Sequence, residues 1–305
     1  MGRKVIAIWL SLIMMVSFVV IVDVSLDISL NVGGATLYVN TTGSGGAYTK
    51  IQDAIDAANP GNTIFVYNGT YNENIVVNKP INLTGENMDF TIIDGGENED
   101  VVKITTNNVN ITGFTVTRGR WMGDDAGIEL NNVQNCSIFN NNISSNRNYG
   151  IRLYYSNINN ITDNIISFND EDGIYLHFSD NNEIKDNNIS YNPYSIGLRF
   201  SNNNTIINNT IFNHLYGINV WESNWNNISK NNVSFNKWYG IYFQESSWNI
   251  AINNTMIDNG IIISGGSIEH YNTHTINISN KVNGKPVYYW KNQTGGAVPP
   301  GAGQV

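Results

Sequence analysis

From about residue 111 onward, apolar and polar positions recur with two superimposed periods. Within short segments they alternate: Ile151 and Leu153, Ile174 and Leu176, and Ile218 and Val220 are each separated by one residue. That is the period-two signature of a strand with one buried side. Over a longer range, the pattern G-I-x-L followed by S-x-x-N-x-I-x-x-N-x-I-x-x-N repeats. Its glycine position falls at Gly127, Gly150, Gly173, Ser195, Gly217 and Gly240, in steps of 23, 23, 22, 22 and 23 residues. Cys136, Asn159, Asn182, Asn204, Asn226 and Asn249 form a second column with the same steps. Asn141, Asn164, Asn187, Asn209, Asn231 and Asn254 form a third. Three columns in register define a chain built by repeating one supersecondary unit.

Leucine-rich repeats and parallel β-helices both have periods in this range. The former need a Leu-dense strand, and residues 127–260 hold only five Leu. The predicted fold is therefore all-β, a single-stranded parallel β-helix of roughly eight coils over residues 36–279. Coils of such a solenoid stack about 4.8 Å apart, so residues of one column become neighbours. Inward Asn columns then form amide ladders that satisfy polar groups buried in the core. Residues 49–58 (TKIQDAIDAA) open with a capping-box spacing, Thr49 to Gln52, and place Ile51, Ile55 and Ala58 on one helical face ahead of Pro60-Gly61. They predict an amphipathic helix that plugs the N-terminal end. Residues Arg120 to Asp125 lengthen one step to 27 residues and predict a loop on one face of the solenoid.

Composition agrees with this pattern. The 305 residues include 54 Asn and 41 Ile, together almost a third of the chain. Asn suits turns and Ile suits strands, as short strands joined by tight corners require. The 16 Lys and Arg against 25 Asp and Glu give a net charge of -9. This argues against nucleic acid, whose phosphates need clustered cations. The single cysteine, Cys136, excludes an internal disulfide framework. Arg3 and Lys4 precede an apolar run from Val5 to Val22, ended by Asp23. Residues 1–24 thus predict export, as a cleaved signal peptide or an uncleaved membrane anchor, with the rest of the chain outside the cell. Fifteen Asn-x-Ser/Thr sequons permit surface glycosylation.

The run YTKIQDAIDAANPGNTIFVYNGTYNENIVVNKPINLTGE, the following TIIDGG and the S-x-x-N-x-I-x-x-N coils resemble right-handed parallel β-helix surface proteins of archaea. They resemble in particular the β-helix domain named for NosD, the periplasmic copper-binding family. The resemblance implies a right-handed, pectin-lyase-like solenoid over about residues 36–290. It implies function less directly, since the repeat serves lyases, epimerases, adhesins and accessory proteins. The segment Asn283 to Gly296 resembles a link into further coils, so residues 280–305 are expected to be a linker-like extension of a truncated reading frame. Gly69 to Asn74 resembles the first coil of pectin methylesterases, without their catalytic Asp pair and Arg.

The outward positions of the G-I-x-L strand carry the candidate chemistry. They form two columns: Glu129, Arg152, Tyr175, Gly197, Asn219, Tyr242, and Asn131, Tyr154, His177, Arg199, Trp221, Gln244. Arg152, Tyr154, Tyr175, His177, Arg199, Trp221 and Tyr242 combine ring planes for sugar C–H faces with donors for hydroxyls or uronate carboxylates. They predict a face for an envelope polysaccharide or surface glycan. The competing account is a solvated sheet on which aromatics support neighbouring strands. Tyr149, Asp172, Tyr194, Tyr216 and Tyr239 form a further column, expected to be structural.

Catalytic sets are incomplete. Tyr149 to Tyr154 and Asp172 to His177 resemble the Y-G-F-D-P-H motif of alginate epimerases, with His177 at the His position but Arg152 and Tyr175 where the Asp belongs. The column Asp124, Arg147, Asp170, Asn192, His214 and Lys237 reads as solvated surface charge. His177, His214, His270 and His274 are scattered, and His270-x-x-x-His274 lies in a stretch read as strand, so no metal or cofactor is expected. The expected role is structural, adhesive or saccharide-binding at the cell surface. A lyase or epimerase acting on uronic-acid polymers and a NosD-like accessory in copper-enzyme maturation are the alternatives.

Overall fold

The computed structural model describes residues 34–120, 123–291 and 294–305. The targeting segment expected at residues 1–24 lies outside them. The described chain winds through three parallel sheets, here A, B and C, visited in that order on each turn. Sheets A and B have eleven strands each and sheet C nine. The solenoid therefore has about eleven turns, not eight. The shortfall came from the early turns, which keep the strand pattern but lack the Asn columns by which coils are counted in the sequence.

Strand pairing follows the sequence columns. On sheet A, Ile138, Ile161, Ile184, Ile206 and Ile228 pair in succession. Ile143, Ile166, Ile189 and Ile211 do so on sheet B, and Ile151, Ile174, Ile196, Ile218 and Ile241 on sheet C. All are fully buried and form one continuous apolar core. Burial of an Ile side chain is worth roughly 1.5–3 kcal/mol, and each turn contributes one from each sheet.

The corners explain the Asn-rich repeat. Each regular turn holds four residues in the left-handed region, such as Asn140, Ser145, Tyr155 and Ile158 with φ of 53°, 58°, 48° and 58°. Each is followed by a residue whose side chain points inward. The amide of that inward residue bonds to the next turn. The Oδ1 of Asn187 accepts from the backbone N–H of Asn164 at 3.0 Å and from its Nδ2 at 3.1 Å, while Asn187 Nδ2 donates to Ile161 O at 2.8 Å. Left-handed backbone costs of order 1–3 kcal/mol at a non-glycine residue, and bulky ones occupy it here, including Phe168 and Trp225. The buried, paired side chains beside them hold those corners in place.

Two of these ladders are the columns traced from the sequence; the other two, the first Ser and the last Asn of the same repeat pattern, were not followed from turn to turn. Asn146, Asn169, Asn192, His214, Asn236 and Asn259 line the corner from sheet B to sheet C. Ser156, Ser179, Ser201, Ser223 and Ser246 line the one after sheet C; the hydroxyls of the last four each accept the N–H of the preceding serine at 2.9–3.0 Å, and that of Ser156 accepts from Val133 N at 3.1 Å. Asn192 and His214 are thus core residues and not members of a surface charge column. The 22-residue turns shift the frame by one, which the spacing had not resolved.

The helix expected at 49–58 forms at Ile51–Ala57, with Ile51, Ala54 and Ile55 buried. Its N-terminus is not held by the capping box. Glu73, from the next turn, accepts the N–H groups of Ile51 and Gln52 at 2.9 and 3.0 Å, placing a carboxylate at the positive end of the helix. Within residues 280–305, read as a linker-like extension, Gln304 Oε1 accepts from Ile261 N of the last sheet C strand at 2.8 Å.

The ladder yields a direct test. Asn187→Ala leaves two donors of Asn164 without an acceptor and is expected to cost about 2–4 kcal/mol. The exposed neighbour substitution Asn188→Ala should stay within about 0.5 kcal/mol. Urea unfolding of the two variants separates these outcomes.

Candidate saccharide-binding face

The candidate residues lie on the outer side of sheet C, in strands Tyr149–Tyr154, Asp172–His177, Tyr194–Arg199, Tyr216–Trp221 and Tyr239–Gln244. Pairing aligns Arg152 with Tyr175, Tyr175 with Gly197, Gly197 with Asn219 and Asn219 with Tyr242. The second column aligns Tyr154, His177, Arg199 and Trp221. The face nevertheless divides into two chemically different parts.

The first part is a compensated charge network. Arg152 is only 4% exposed. Its guanidinium is bonded to Glu129 at 2.6 Å and Asp124 at 3.0 Å, and lies 4.6 Å over the Tyr154 ring. Glu129 also pairs with Lys103 at 2.5 Å, and Lys103 with Asp100 at 3.1 Å. Burial, and then the neighbouring Glu129 carboxylate, push Asp100 up to about 7. The loop expected at residues 120–125 reaches this network through Asp124, which explains why Arg152 is not the free ligand that its column position suggested. Outward position and exposure are different properties, and a loop from another turn removed the second.

The other part is open. Gly197 supplies no side chain between Tyr175 and Asn219, leaving a depression of about 170 Å³. Tyr149, Asp172, Tyr175, Tyr194, Arg199, Asn219 and Trp221 surround it. A Cβ at position 197 would lie 2.5 Å from Asp172 Oδ1, so the glycine is what admits both the carboxylate and the cavity. The Arg199 guanidinium stacks 4.1 Å over Trp221 and borders the same depression as Tyr175. Among the described residues no carboxylate lies within ion-pair distance of it. Arg199 Nε and Asn219 Oδ1 are both buried without a hydrogen-bond partner. Both atoms are shielded from solvent, so what the aromatic depression offers a ligand is the remainder of the half-buried Arg199 guanidinium and the rings around it.

The surrounding groups set the charge. Burial, followed by the nearby Glu171, raises Asp172 to about 8, so its carboxyl is largely protonated at neutral pH. Burial and the positive charges of Arg199 and Arg152 lower His177, which packs 4.4 Å from the Phe178 ring as a neutral imidazole. Tyr149 stacks on Tyr175 at 4.9 Å and borders the cavity, so it is more than the structural ring expected of its column. Tyr242 lies beyond the cavity, 4.9 Å from Tyr239, with its hydroxyl 2.7 Å from Ser264 Oγ. Asp172, Tyr194 and Asn219 were missed as site residues. The available signal was Gly197, a gap in an otherwise bulky outward column.

The other chemistry-bearing side chains are dispersed. His214 ring nitrogens approach the carbonyls of Asn192 at 2.7 Å and Ile189 at 3.1 Å, and His274 ends another Asn ladder, accepting from Asn249 N at 3.2 Å. Cys136 heads that same ladder, fully buried. His270 lies in a short helix, Ile268–Asn272, where strand had been expected. Among the described residues, no three His, Cys, Asp or Glu side chains converge as a metal site.

Residues 126–282 match the family described as the right handed beta helix region. The chain belongs to the right-handed β-helix family. It is 40% identical over 101 residues to a cell surface glycoprotein of Methanothermus fervidus, a match covering 32% of this chain and 16% of that protein. The chain thus spans about a sixth of that relative's length. Among solved structures it is similar to the catalytic domain of an α-1,3-glucanase in complex with nigerose. The TM-score is 0.66 at 15% identity, over 83% of this chain and 54% of that one. An alginate lyase from Paenibacillus gives 0.60 at 14% over 76% and 94%, and a pectate lyase 0.56 at 16% over 83% and 79%. At these identities the likeness shows the pectin-lyase-like fold alone.

The charge state of Asp172 generates a prediction. Asp172, which borders the same depression as the Arg199 guanidinium, is neutral below about 8 and negative above it. Retention of a uronate-bearing polysaccharide should therefore weaken by roughly three- to tenfold as pH rises from 7 to 9. Asp172→Asn should flatten the profile. Affinity electrophoresis at the two pH values reads both.

Proposed function

We propose that this chain is an exported cell-surface β-helix protein that binds an acidic polysaccharide on sheet C. The observation that carries the reading is Arg199: a half-buried guanidinium with no carboxylate within ion-pair distance among the described residues, stacked on Trp221 beside an aromatic depression. Rings offer flat apolar planes to sugar C–H groups, and a guanidinium accepts a carboxylate in bidentate fashion. The similarity to a cell surface glycoprotein and to folds that act on polysaccharides supports this class of ligand and this location. The apolar run from Val5 to Val22 supports export. Among the described residues no helix is long and apolar enough to cross a membrane, so anchoring would fall to residues 1–24. The helix Ile51–Ala57 serves as the cover of the N-terminal end.

A second reading has its own support. Asp172, raised to about 8 beside Tyr175 and Arg199, is an acid-base group poised near neutrality, as a lyase or epimerase acting on uronic-acid polymers would need. Incubating the protein with such polymers and following unsaturated products by ultraviolet absorbance, and epimer ratios by NMR, tests it. A copper-accessory role of the NosD kind rests on resemblance alone, and calorimetric titration with copper addresses it.

For the binding reading, Trp221→Ala and Arg199→Ala should each cost about 1–3 kcal/mol of polysaccharide affinity while leaving the urea midpoint unchanged, because neither side chain enters the core. Tyr239→Ala, at the strand edge, should lower stability more than affinity. Parent-like binding by both face variants on a glycan array would place the site elsewhere.

A further inference from the structure

The fifteen sequons are unevenly distributed over the solenoid. Fourteen of their asparagines fall in the described residues. Those within strands are on sheet A, such as Asn110, Asn160 and Asn227, or on sheet B, at Asn142, Asn188 and Asn232. The rest lie in the corners that join A to B or lead into A, and none lies in a sheet C strand. On sheet B the sequons recur on every second turn, because Asn142, Ile165, Asn188, Thr210 and Asn232 form one paired column. Two coil steps separate successive sites there by about 10 Å. Asn160, Asn188 and Asn232 are exposed.

Asn-rich composition does not account for this segregation. Sheet C also carries asparagine, at Asn131 and Asn219, but the residues two places on are Val133 and Trp221. The serine ladder sharpens the point. Ser156, Ser179, Ser201, Ser223 and Ser246 are fixed by their hydrogen bonds from turn to turn. An asparagine two residues before any of them would complete a sequon on sheet C. Those five places hold Tyr154, His177, Arg199, Trp221 and Gln244, and where the same column does hold asparagine, at Asn131, the ladder position is valine.

We propose that the exported chain carries N-linked glycans on sheets A and B and is kept bare on sheet C by the absence of sequons there. The glycans then cover two sides of the prism, and the third stays free for contact. The proposal rests on the export inferred above, but not on the identity of any ligand.

The test is glycopeptide mass mapping of the full chain produced in an N-glycosylating host. The expected map shows glycan at Asn160, Asn188 and Asn232 and none in residues 149–154, 172–177, 194–199, 216–221 and 239–244. Gln244→Asn, which creates Asn-Glu-Ser on sheet C, should add one glycan, and Asn160→Gln should remove one while secretion persists. A secreted chain with empty sequons, or a Gln244→Asn chain that gains nothing, overturns the proposal alone. A chain that stays inside the cell overturns export and this proposal together.

Discussion

The structure depends on one constraint: the inward polar side chains of a turn are paired almost throughout with groups of the adjacent turns. A parallel solenoid cannot close its backbone hydrogen bonds within a turn, so all of them run along the axis. The corners bring amides and hydroxyls into the core, where an unpaired group costs about 1–3 kcal/mol. Asparagine meets the demand because one carboxamide both accepts and donates. Asn164, Asn187 and Asn209 each accept from the turn before and donate to a carbonyl of that same turn. The ladder is therefore also the register device, since a slip of one residue would unpair every member at once.

This arrangement tolerates substitution only by groups with similar reach. His214 and His274 each occupy an asparagine position and use ring nitrogens at the same depth. Cys136 can head a ladder because the turn before it is irregular and demands no amide of it. The same requirement explains how Phe168 and Trp225 come to adopt left-handed backbone. The residue beside them is anchored, and the corner has no freedom to relax.

Because the inward half of each turn is so tightly specified, chemistry is confined to the outward half, and most of that is small and polar. Sheet C departs from this in two ways. Near its start a loop and one column of charges, Lys103, Glu129 and Arg152, neutralise one another. Further along, one missing side chain at Gly197 opens a depression beside an arginine that no carboxylate neutralises. The difference between the filled part of the face and the open one is thus made by a glycine and by the reach of one loop, not by the repeat.

By itself the sequence determined the repeat, its period, the inward Ile and Asn columns and the line of residues from Tyr154 to Trp221, because register in a parallel stack follows directly from spacing. It also determined that a helix follows the first strand. It left open what depends on contacts between turns of unequal length. Arg152 looked available because Asp124, 28 residues earlier, meets it only once the insertion folds over the face. Asn192 and His214 looked like surface residues because two 22-residue turns shift the frame. The helix N-terminus looked self-capped, yet Glu73 from the next turn holds it. Asp172 looked like one more structural member of the column it shares with Tyr149 and Tyr194, whereas burial and then the neighbouring Glu171 raise it to about 8. Periodicity fixes which residues are neighbours along the axis, whereas burial and charge are set by everything that folds over them.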